Sequence, residues 1–127
     1  MAKVLQNFWI LTETGATIFN RVRDSTVDDQ YFGMFMSALN SYAEGFLDDG
    51  LSSFELSDKR FSFMKKNDLI FVGTSPLKTN EKKVIREIEL IKNKFFELYP
   101  QDIAETWKGN IKLFSDFEKN ILKSFQD

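Results

Sequence analysis

Residues 4–12 read VLQNFWILT, a run that is apolar on both parities, with Leu5, Trp9 and Leu11 on one and Val4, Phe8 and Ile10 on the other. A strand with one wet face alternates apolar and polar side chains, so a run without a polar parity needs cover on both sides. This segment is predicted to be an inner strand of a sheet with helices on both faces.

Working outward, Glu13-Thr14-Gly15 offers a tight turn, and residues 16–22 are again rich in β-branched and aromatic side chains, so the first two strands should form a hairpin. The polar segment 23–29 supplies capping residues for a helix predicted over 28–47. Its apolar stripe is Phe32, Phe35, Met36, Leu39, Tyr42, Ala43 and Phe46, and Asp48-Asp49-Gly50 ends it. Three short strands follow over 51–56, 60–65 and 69–74, separated by turns at 57–59 and 66–68. Pro76 breaks the chain and Asn80 can cap a second helix, whose stripe is Val84, Ile88, Ile91, Phe95 and Leu98 and which stops before Pro100. Ser115 with Glu118 reads as a capping box for a last helix facing Phe117, Ile121, Leu122 and Phe125 inward. The order strand, strand, helix, three strands, helix, helix predicts an α+β domain. A five-stranded antiparallel sheet should carry the long helix on one face and the terminal pair on the other.

At 127 residues the chain has the size of one domain, 1–127, and its 14 Phe and 2 Trp are ample for one core. With 17 basic and 19 acidic side chains spread along it, no broad positive field exists to attract nucleic acid. Absence of Cys and His removes disulfides, thiolate chemistry, the commonest general base and the commonest metal ligand. No cofactor is expected. The N-terminus lacks a signal-peptide pattern and a bilayer-length apolar run, so the expected compartment is the cytoplasm.

The outer face of the predicted helix 28–47 carries Gly33, Ser37, Ser41 and Gly45 at intervals of four, beside Met34. A solvated face normally bears long charged side chains, and an interior Gly costs about 1 kcal/mol against Ala. Close approach of a second backbone would account for this ridge, with Met34 as an adaptable contact. The plainer alternative is a polar, weakly helical surface. A second candidate is the strand 51–56, placed by this topology at or near an edge, where Leu51, Phe54 and Leu56 could border an added strand. Alternatively Phe54 and Leu56 are core, while Glu55 and Lys59 discourage pairing.

Asp28-Asp29 and Asp48-Asp49 could suggest a hard cation but read more simply as helix-end residues, because no calcium-loop spacing surrounds them. Lys59-Arg60 with Lys65-Lys66, and Lys78, Lys82, Lys83 and Arg86, could touch anionic headgroups, although interspersed acids favour a merely solvated face. Thr14-Gly15-Ala16 has no following phosphate-loop residues, and a Ser–Lys pairing has no supporting spacing. Trp9, Tyr31, Tyr42 and Trp107 read as core or core-edge aromatics, since no basic groove accompanies them.

The segments NFWILTETGATIFNRV (7–22), FGMFMSALNSYAEGF (32–46) and LSSFELSDKRFSFMKKNDLIFVGTS (51–75) together resemble the longin-like domains, most closely the stand-alone archaeal ones. Small adaptin subunits, sedlin-like tethering subunits and the longin domains of trafficking SNAREs look similar. The resemblance implies a profilin-like fold, no catalytic residues, and pairing with longin or roadblock domains as a homodimer or heterodimer. It further implies contact with small Ras-like GTPases or peptide segments, often beside a sheet edge, and at most peripheral attachment to membranes in trafficking. The alternative within the same resemblance is a scaffold subunit of a coat or tethering complex that touches no GTPase.

Overall fold

The computed structural model describes residues 4–12, 14, 16–21, 52–56, 59–107, 114 and 117–121, without the side chains of 52, 54, 56, 118 and 120. The strands are β1 (Asn7–Thr12), β2 (Thr17–Arg21), β3 (Ser52–Leu56), β4 (Lys59–Lys66) and β5 (Leu69–Pro76). The described helices are α1 (Glu81–Leu98), α2 (Ile103–Thr106) and α3 (Phe117–Ile121). The strands form one five-stranded sheet in the order β2-β1-β5-β4-β3, and every neighbouring pair is antiparallel.

As the apolar run 4–12 demands, β1 is an inner strand, and Phe8, Trp9, Ile10 and Leu11 are all fully buried. Successive side chains point to opposite faces. Phe8 and Ile10 join Phe71, Val84, Ile88, Ile91, Phe95, Phe114, Phe117 and Ile121 in the core on the α1 side. Trp9 and Leu11 pack with Phe61, Phe63, Ile70 and Val72 on the other. Both faces are thus buried. The helix expected over 28–47, with its caps, stripe and terminating Asp48-Asp49-Gly50, lies outside the described residues.

One parity assignment is corrected. Leu5 belongs with Phe8 and Ile10 rather than with Trp9, because the chain bends at Gln6 and the alternation restarts at Asn7. A register shift between Ile10 and Leu11 leaves Ile18 as an extra residue on β2, and Ile18 and Phe19 both enter the α1-side core. Residue Gly15, the expected turn former, is outside the description; Thr12 fixes the hairpin, its Oγ1 accepting from Ala16 N at 3.1 Å.

The β4–β5 hairpin closes through Asn67 and Asp68, both with positive φ (52° and 66°), while Lys66 pairs with Leu69. Positive φ at both central residues is the two-residue turn whose twist matches that of the strands, and Asn and Asp tolerate it better than most side chains. β5 runs two residues past its expected end and stops at Pro76. Asn80 then caps α1, its Oδ1 accepting from Lys82 N at 2.8 Å, and the helix ends ahead of Pro100 as expected.

Val84, Ile88, Ile91 and Phe95 are buried against the sheet, but Leu98, assigned to the same stripe, is 49% exposed; Glu87 is buried instead. Leu98 falls at the last turn, where Tyr99 at the helix C-cap packs against Phe95 and Phe114. Phe95 is the hub of an aromatic cluster: it meets Phe71 and Phe117 edge-on and stacks on Phe114, with centroids 5.3–5.8 Å apart. The short helix α2 was not expected from the sequence. In the last helix Phe117 and Ile121 are buried as expected, whereas Ser115, Leu122 and Phe125 lie outside the described residues. Trp9 is core and Trp107 is half-buried against Phe114; Tyr31 and Tyr42 are outside the description.

Candidate protein-interaction edge

β3 is the last strand of the sheet, paired with β4 on one side. Among the described residues no strand pairs with its other side. Edge strands carry backbone N–H and C=O groups that a second chain can use. Ser53 and Glu55 share one parity and are exposed, Glu55 by 62%. Phe54 is registered opposite Phe61 and Leu56 opposite Lys59, so both expected contact residues stand on the edge strand. Gly33, Met34, Ser37, Ser41, Gly45 and Leu51, the rest of the expected interaction surface, lie outside the described residues.

Polar side chains tie this edge to the start of α1. Ser53 Oγ donates to Glu81 Oε1 at 3.1 Å, linking β3 to the first turn of the helix. Arg60 on β4 donates through Nη1 to the carbonyl of Thr79 at 2.9 Å and through Nη2 to that of Leu77 at 3.4 Å. Those carbonyls belong to the corner between β5 and α1, so the guanidinium fixes the angle at which the helix leaves the sheet. Its other neighbour is Glu55, at 3.9 Å; with so open a carboxylate this pair adds little stability. The expected basic cluster of Lys59, Arg60, Lys65 and Lys66 is therefore divided. Arg60 is committed to main-chain carbonyls, Lys59 and Lys65 are half-buried and engaged, and Lys66 is exposed.

Behind the edge the α1 side of the sheet is lined by small residues. Ser53, Ser62 and Gly73 are registered side by side across β3, β4 and β5. A Cβ on Gly73 would stand 3.0 Å from Leu5 Cδ2 and 3.2 Å from Ile88 Cδ1, so α1 sits too close for any larger residue without adjustment. The Ser62 and Ser75 hydroxyls are buried without a hydrogen-bond partner among the described residues, which fits residues selected for size. Among the described residues no base hydrogen-bonds either hydroxyl. Among the described residues no three acidic side chains cluster in a way that could hold a metal ion.

Sequence reasoning missed the Arg60 clamp and the Ser53–Glu81 link, whose partners lie 17–28 residues away and leave no local signature. Gly73 did carry a signal: a Gly inside a strand marks close approach by another part of the chain.

No protein-family model matches the chain, and no curated protein does. Solved structures do. MglB of Myxococcus xanthus superposes with a TM-score of 0.59 at 14% identity, over 73% of this chain and 84% of that one. A roadblock/LC7 domain from Streptomyces avermitilis gives 0.55 at 10%, over 73% and 87%. Profilin IA of Acanthamoeba castellanii gives 0.52 at 12%, over 74% and 86%. The fold is profilin-like, of the longin and roadblock kind. In this profilin-like domain β3 is the terminal strand and α1 its tethered neighbour.

Proposed function

We propose that this chain is a non-catalytic protein-interaction module that pairs with a second copy of itself or with another longin or roadblock domain. The observation that carries the reading is β3, a terminal strand with exposed Ser53 and Glu55 and no pairing on its outer side among the described residues. Strand addition gives affinity through main-chain hydrogen bonds and needs no catalytic group. The ridge Gly33, Ser37, Ser41 and Gly45 with Met34, together with Leu51, Phe54 and Leu56, would supply the side-chain part of the interface. Through such a pair the module would serve regulation of a small Ras-like GTPase in the cytoplasm or in membrane trafficking; this part rests on the longin resemblance.

Light scattering of the purified chain, alone and mixed with roadblock domains, tests the pairing. A dimer or mixed dimer that Gly33→Arg with Ser37→Arg dissociates is the expected result; a monomer in every mixture would refute it. Pull-down with Ras-like GTPases in both nucleotide states tests the second step. Binding that changes with the nucleotide supports GTPase regulation, whereas stable assembly indifferent to nucleotide favours a coat or tethering scaffold.

A further inference from the structure

The corner between β5 and α1 presents a basic surface bordered by exposed leucines. Leu77 and Leu90, 37% and 54% exposed, bracket the exposed side chains of Lys78, Lys82, Lys83 and Arg86. Lys82, Arg86 and Leu90 recur at intervals of four on the side of α1 turned away from the buried Val84, Ile88 and Ile91. Lys83 stands beside that ridge, and Leu77 and Lys78 are exposed ahead of the helix start.

Interspersed acids are what make such a stretch read as ordinary solvated surface in the sequence, and the structure buries one of the three. Glu81 accepts the Ser53 hydroxyl at 3.1 Å but stays exposed at the start of the helix. Glu87 is buried. Glu81 and Glu89 are left exposed against four exposed cations between residues 77 and 90. Across residues 77–94 six basic side chains face three acidic ones, in a chain whose net charge is −2, so positive charge is concentrated here.

We infer that this corner is a peripheral docking surface for an anionic phospholipid bilayer, with Lys78, Lys82, Lys83 and Arg86 at the headgroups and Leu77 and Leu90 entering the interface. Charge complementarity selects the occupant: clustered cations beside isolated apolar side chains suit a surface with anionic headgroups over hydrocarbon. No described helix is long and apolar enough to cross a membrane, and this attachment needs none. The surface adjoins β3 through the Ser53–Glu81 contact, but the inference does not depend on the pairing proposed above.

Co-sedimentation of the full chain with phosphatidylcholine vesicles, plain or containing roughly a third phosphatidylserine, provides the test. Binding to the anionic vesicles alone, weakened by added salt, is expected. Lys82→Glu with Arg86→Glu should weaken it by at least roughly twentyfold, at about fivefold per basic residue. Leu90→Ser should weaken it further, while Lys66→Glu, at the far turn between β4 and β5, should leave it unchanged, all with native circular dichroism. The inference is overturned if anionic vesicles fail to bind the chain, or if Lys66→Glu weakens binding as much as the double variant. Release from vesicles by inorganic phosphate at constant ionic strength would also overturn it, assigning the corner to a soluble anion.

Discussion

β5 and β3 lie two strands apart in one antiparallel sheet, and they are built of different material. β5 reads LIFVGTSP and is buried from Leu69 to Ser75, with neighbours on both sides and both faces covered. β3 reads SSFEL, exposes Ser53 and Glu55, and has one described neighbour. Burial on two faces stabilises by roughly 25 cal/mol per Å² of apolar surface, so the middle of the sheet holds most of the folding energy. The edge contributes less. It keeps backbone groups that a second chain could engage, and a strand carrying Ser53 and Glu55 can expose them without presenting a long apolar template for aggregation.

Substitutions can widen or erase this contrast. The largest effect is expected behind β5: Phe95→Ala removes the ring between Phe71, Phe114 and Phe117 and should cost about 3–5 kcal/mol, measured by denaturant unfolding. Gly73→Ala comes next, because the new methyl meets Leu5 Cδ2 at 3.0 Å and Ile88 Cδ1 at 3.2 Å; a loss of about 1–3 kcal/mol and a lowered Tm are expected. The sign reverses at the turn. Asp68→Gly relieves a side chain held at φ 66° and should gain about 0.5 kcal/mol in the same assay. The smallest effect belongs to the edge: Glu55→Ala should change stability by less than about 0.5 kcal/mol, since the carboxylate is exposed and its contact with Arg60 is long. A Glu55→Ala loss comparable to that of Phe95→Ala would erase the distinction between the two strands.

The elements most legible in the sequence are those whose physics is local. The two apolar parities of residues 8–11, the Asn80 cap, the Val84-Ile88-Ile91-Phe95 stripe and the turn at Asn67-Asp68 each report neighbours a few residues away, and each stands in the structure as expected. Leu5 lies on the face opposite to the one its parity predicts because the bend at Gln6 depends on pairing with a distant strand: Gln6 N donates to Thr74 O at 2.9 Å. Leu98 fails as a core residue because Tyr99, at the C-cap where helical periodicity no longer holds, packs into the aromatic cluster at that end. Of the expected interaction surface, β3 and its position at the edge were readable from topology, and Phe54 and Leu56 lie on it. The side-chain ties of Ser53 and Arg60 to the start of α1 were not readable, because they join segments that only the completed fold brings together.

Amide hydrogen exchange of the purified chain, followed strand by strand as protein concentration is raised and roadblock domains are added, tests the central claim most directly. β1 and β5 amides should be strongly protected throughout. β3 amides should exchange readily in the dilute chain and gain protection as it pairs. If β3 is as protected as β5 in the dilute monomer, or gains nothing from concentration or from added roadblock domains, the edge is not where this protein meets its partner.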